Sequence, residues 1–219
     1  MKKTLRAVLA AGVGIAASAL YISLQTQPAE AVITGSAHDF SGQAWNAGGE
    51  ICQPCHTPHN APEAASGPLW NHDITASTFT LYTSPTGTLD ATLGQPAGAS
   101  ALCLSCHDGS VALDSFGGNT GTNFITGSAL LGIDLSDDHP VSFTYDAALA
   151  GTDGQLVNPA ADGDTDADTV GAAVPYLPLF AGSLECASCH DVHNNGGGTT
   201  FLLRMDNTTS ALCLKCHVK

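Results

Sequence analysis

SALCLSCH, residues Ser100 to His107, returns as SALCLKCH at Ser210 to His217, with seven of eight positions identical. Each copy ends in Cys-x-x-Cys-His. Working outward, ICQPCHTPHN (Ile51 to Asn60) and ECASCHDVHN (Glu185 to Asn194) carry the same ending, each with a further histidine at +3 and asparagine at +4. All eight cysteines fall into the four pairs Cys52/Cys55, Cys103/Cys106, Cys186/Cys189 and Cys213/Cys216, and a histidine follows each pair at once: His56, His107, His190 and His217. The order is CxxCHxxHN then SALCLxCH, twice, so the chain reads as two copies of one unit, about 32–130 and 131–219.

Two thiols three positions apart lie on nearly one face of a helical turn and can add to the two vinyl groups along one haem edge. The next residue then lies under the iron and offers an imidazole nitrogen. Four such motifs predict four covalently bound haem c groups, with His56, His107, His190 and His217 as proximal ligands. Zinc is the weaker reading, because a zinc ribbon needs no histidine directly after every pair. A disulfide framework would give those histidines no reason to be there.

Five histidines remain: His38, His59, His72, His139 and His193. Four irons require four distal ligands, so all five are distal candidates and the supply exceeds demand by one. His59 and His193 follow their proximal histidines by three residues and share that side of their own haem, so each is expected to serve a different one. His38 and His139 precede the two units, and their symmetry predicts the first and third haems for them. His72 stands outside the repeat, so either it or His38 is the surplus histidine or reaches a haem of another molecule, and His38, near the start of the mature chain, is the better candidate for reaching. Met205 is the lone thioether outside the leader. Bis-histidine ligation leaves no open site for a substrate and predicts an electron carrier.

The first 31 residues read as an exported leader. Lys2, Lys3 and Arg6 precede an apolar run from Val8 to Leu24, and Ala29-Glu30-Ala31 is a small-x-small cleavage site. A single domain is expected over 32–219, with no stable membrane insertion after cleavage. Past Ala31, three basic residues stand against 19 acidic ones, a net charge of −16. Such a surface excludes nucleic acid as a partner, since phosphate contacts need clustered Lys and Arg.

Between the motifs Ala, Gly, Thr, Ser, Asp and Pro dominate. The expected fold is a multihaem cytochrome c: mostly loop, short helices at the CxxCH motifs, a few short strands, and a haem stack as core, because so short a chain spread over four haems has little left for an apolar core. Alternation predicts strands at Thr78 to Thr83 and from Val141 through Phe143 to Tyr145. Asp162, Asp164, Asp166 and Asp168 alternate as in oxygen-rich calcium loops but lack the glycine and closing glutamate, so a solvated acidic loop competes with a calcium site. Asn207-Thr-Thr fits a glycosylation sequon.

GEICQPCHTPHN, GPLWNH, LCLSCHDGSVALDSFGG, DLSDDHPVSF and ECASCHDVHNN closely resemble the exported multihaem cytochromes with doubled CxxCH motifs of metal-respiring bacteria. The haem count and motif order are similar to those of the extracellular tetrahaem nanowire cytochromes, the OmcE-like family. That resemblance implies a mostly loop fold, polymerisation of the chain with itself, continuous haems along a filament, and a histidine of one subunit ligating a haem of the next. It places the chain outside the cell or on its surface, passing electrons to other redox proteins or extracellular acceptors. A soluble periplasmic shuttle and a multihaem reductase are the alternatives, the reductase requiring one iron without a distal ligand.

Overall fold

Short segments of regular structure, separated by long loops, are what so much Gly, Pro, Ser and Thr permits. The computed structural model describes residues 32–59, 61, 67–161, 168–171, 175–193 and 200–218. The expected leader at 1–31 and Asp162, Asp164 and Asp166 lie outside them. Helix α1 is Gly98–His107, α2 is Ala147–Asp153 and α3 is the single turn Cys186–Cys189. Two-residue strands β1 (Phe143–Thr144), β2 (Thr169–Val170), β3 (Leu177–Pro178) and β4 (Ser183–Leu184) pair antiparallel as β1 with β4 and β2 with β3. Phe143 lies opposite Leu184, and Val170 opposite Leu177.

These two ribbons build the larger apolar cluster, in which Phe143, Tyr145, Val170, Leu177, Leu179, Leu184 and Leu212 are buried, with Cys189 and Cys216 packed against it. A smaller cluster joins Leu104 of α1 to Phe79 and Leu135. Helix α2 forms away from any motif: Asp146 caps it by accepting the Leu149 N–H at 2.8 Å, and Gly154 ends it at φ +71°. The composition of 147–153 hides this helix from a motif-centred reading.

The strand expected at Thr78 to Thr83 does not form. Only Thr80 makes an isolated bridge, to Asp134. The Gln95 side chain takes the place of a partner strand, accepting the Phe79 N–H at 2.7 Å and donating to the Phe79 carbonyl at 3.0 Å. Around Phe143 the predicted strand is present but two residues long. Asp168, the described member of the aspartate loop, gives its carbonyl to the Leu179 N–H at 2.6 Å, next to the β2–β3 pair.

A buried polar knot joins the two halves. Glu185, 5% exposed, accepts from the backbone N–H and hydroxyl of Ser100 in α1 and from the Ser142 hydroxyl. Ser100 in turn accepts the Cys186 N–H at 2.9 Å. Gly98 opens α1 against this carboxylate at φ +52°, and a Cβ there would stand 3.0 Å from Glu185 Oε1.

Candidate haem-attachment sites

In the first, third and fourth motifs the histidine N–H donates to the first cysteine's carbonyl, at 2.8 Å for His56, 3.0 Å for His190 and 3.0 Å for His217. That i to i−4 bond closes one helical turn and brings the two thiols to one face. The second motif has the same geometry inside α1, the third is α3, the fourth is a 3₁₀ turn at Cys213–Lys215, and the first is a bare turn rather than the expected helix. None of the eight cysteines is paired in a disulfide.

Three proximal candidates are fixed by main-chain oxygens. His56 Nδ1 lies 2.7 Å from the Pro68 carbonyl, His107 Nδ1 2.8 Å from Ala129, and His190 Nδ1 2.9 Å from Phe201. Bonding one ring nitrogen to a carbonyl sets the tautomer and leaves Nε2 for a metal, as in most metal-binding histidines.

The first and third sites are the same construction twice. His56 bridges to Trp70 and His190 to Leu203. Thr57 N–H donates to Leu69, and Asp191 N–H to Leu202. The middle residues, Leu69 at φ +54° and Leu202 at φ +55°, share the left-handed conformation that turns the preceding carbonyl toward the ring. His72 in the first half therefore occupies the position that Met205 occupies in the second.

Three pairs of histidine rings face one another. His56 and His193 have ring centres 6.2 Å apart with planes 18° from parallel, His38 and His107 are 6.0 Å apart at 51°, and His139 and His217 are 6.4 Å apart at 73°. A ligating nitrogen lies about 2 Å from its metal and roughly one further ångström from its ring centre, so two imidazoles that shared one metal would hold their centres about 6 Å apart. All three separations match. His38 stands beside the second motif and His139 beside the fourth, not beside the first and third as their order in the chain implied. His38 is also folded inward: burial first, then His107 and His190, lowers its pKa to about 4, which keeps the ring neutral as a ligand must be.

His59 is exposed, and its carbonyl accepts the Thr57 hydroxyl at 2.9 Å. Among the described residues no histidine ring pairs with His190. His72 is buried, with Nδ1 2.8 Å from the Asp73 carbonyl and Nε2 3.0 Å from that of Ala112.

The thiols link the motifs in chain order. Burial and then Cys52 push Cys55 up to about 11, and burial, then Cys55 and Asp108, push Cys106 up to about 12. Cys103 hydrogen-bonds Cys186, which raises Cys103 and lowers Cys186 to about 7. Burial and then Cys189 push Cys216 to about 12. Burial is the leading cause at Cys55, Cys106 and Cys216, so these sulfurs lie in pockets held away from water. Among the described residues no three His, Cys, Asp or Glu side chains converge to hold a bare ion.

Apolar side chains fringe each motif. Leu69 beside His56, Leu131 beside His107, Phe201 beside His190 (81% exposed), and Leu214 and Val218 in the fourth motif are all exposed. A flat apolar macrocycle seated on each motif would cover such a fringe, and so the residues present fit the group.

The model of the doubled CXXCH motif family matches residues 178–219, the third and fourth motifs. It suggests a multihaem c-type cytochrome. CXXCH motifs indicate covalently bound haem c, and the doubled arrangement suggests electron transfer as its use. No curated protein matches the chain. The first and second motifs lie outside the matched segment, and their likeness to it rests on the duplicated sequence and on the repeated backbone construction at His56 and His190.

Proposed function

We propose that the chain carries electrons through four haem c groups, one at each Cys-x-x-Cys-His motif, each iron held between two histidines. The observation that carries this reading is the set of three histidine pairs at 6.0–6.4 Å. His56 with His193, His107 with His38, and His217 with His139 would each hold one iron, the first pair crossing between the two halves. Haem supplies one-electron exchange between ferric and ferrous iron. The chain's own part is to fill both axial positions, so that no substrate enters, and to fix the proximal rings through the Pro68, Ala129 and Phe201 carbonyls. With the apolar fringe covered, the haems complete the core that the two small side-chain clusters leave unfinished.

We further propose that the chain is exported and acts outside the cell or at its surface as a subunit of a cytochrome filament. His59 is the remaining exposed histidine, and His190 is the remaining proximal site, so their joining, within one chain or between two copies, would complete the ligation. The net charge of −16 past Ala31 opposes self-association, so a filament would need cations or buried contacts to offset it.

Intact mass of the exported protein should exceed that of the polypeptide by four haems. Carbon monoxide added to the reduced protein should leave its spectrum unchanged. A haem that binds carbon monoxide rapidly would favour the reductase reading, and fewer than four haems would contradict the proposal. Electron microscopy of secreted material separates filament from shuttle.

A further inference from the structure

Five spare histidines for four irons leave one unexplained. Resting on the haem reading above, we infer that His72 is that one: a positioning residue that wedges the first attachment site against the second, not an iron ligand.

A carbonyl oxygen stands against each ring nitrogen, that of Asp73 2.8 Å from Nδ1 and that of Ala112 3.0 Å from Nε2; a neutral ring donates to one of them, and the Ala112 oxygen occupies the place a metal would need at Nε2. The side chain is 3% exposed and lies edge-on to Trp70 with ring centres 6.4 Å apart. Bringing Nε2 to an iron would require the Ala112 carbonyl, 40 residues away in the chain, to move out of a packed site. The surrounding main chain is stitched through the same place: His72 bridges Phe116, Asp73 N–H donates to Ser115 at 2.9 Å, and Gly117 N–H donates to Asn71 at 3.2 Å. Through Trp70 this segment reaches His56, and Nε2 lies 3.6 Å from Cys106 Sγ, the thioether position of the second motif. His72 thus ties the strand that holds the first proximal ring to the loop that follows the second motif.

The other half supplies an independent argument. At the matching position, two residues after the bridge partner of His190, stands Met205, which packs against the larger apolar cluster. Met205 fills its slot as a wedge, and His72 fills the equivalent slot with added hydrogen bonds.

The test is spectroscopic. In His72→Met and His72→Ala, all four irons should stay low-spin with two nitrogen ligands, by ferric EPR and near-infrared absorption. The alanine variant should melt lower than wild type and lose intensity in the paired-haem Soret circular dichroism, and the methionine variant should recover most of both. A methionine-to-iron absorption band in His72→Met, or a quarter of the iron turning high-spin in His72→Ala, would overturn the inference. His193→Ala runs beside them: if it too leaves every iron low-spin, the pairing of His193 with His56 fails, whatever His72 does. Should His72→Ala not fold, the methionine band alone decides.

Discussion

Glu185 is a buried carboxylate whose partners are hydroxyl and amide donors on residues 43 and 85 positions away in the chain. Its removal leaves those donors unpaired at roughly 1–3 kcal/mol each. Glu185→Ala should therefore lose about 3 kcal/mol in urea unfolding, and Glu185→Gln distinctly less. Nothing in the sequence announces this knot, because Ser100 has a repeat in Ser210 whereas Glu185 has Ile51 at the matching place, and an asymmetric contact leaves no periodic trace. Asp114 gives a pH dependence. Its slight burial works to raise its pKa, but hydrogen bonds from Asn123 and Thr122 outweigh it and hold the carboxyl below the ordinary value. A folded value below the unfolded one means that the stabilisation is complete above the usual carboxylate range and is lost as pH falls through the folded value. Amide exchange at Thr122 and Asn123, corrected for intrinsic rates, should accelerate as pH falls below the ordinary carboxylate range, and Asp114→Asn should abolish that dependence.

Among the elements, the two SALCL copies fold differently. Leu104 is 1% exposed in α1 and packs on Phe79 and Leu135, whereas its repeat Leu214 is 42% exposed in a 3₁₀ turn. Leu104→Ala should cost about 3 kcal/mol, and Leu214→Ala less than about 0.5 kcal/mol in the polypeptide's own packing; a larger loss at Leu214 that appears only with haem attached would mark it as part of the haem contact. Attachment motifs and their duplication are legible in the sequence because side chains carry them. The groups that aim the proximal rings are not, since Pro68, Ala129 and Phe201 act through main-chain carbonyls that every residue possesses. For the same reason the left-handed turns at Leu69 and Leu202 are visible only once the backbone is known. Sequence order pointed His38 and His139 toward the first and third motifs, whereas their rings stand beside His107 and His217, because order along the chain is a poor guide to neighbours in a fold made mostly of loops.

For the molecule as a whole, the three ring pairs differ in how their planes cross, from 18° at His56/His193 to 73° at His139/His217. Near-parallel imidazoles split the iron d orbitals strongly and near-perpendicular ones leave two of them close in energy, so the haems should be spectroscopically distinct. His193→Met should remove a rhombic low-spin signal, and His139→Met should remove a large-g signal. Micrographs of the haem-loaded protein should show filaments if His59 and His190 join between copies, and dispersed particles with fully low-spin iron if they join within one. The central claim is that every iron has two histidines. The most direct test is ferric EPR with spin quantification against iron content on the purified haem-loaded protein. The account predicts four low-spin irons per chain and no high-spin signal; a high-spin fraction approaching one iron in four, or fewer than four haem irons per chain, would contradict it.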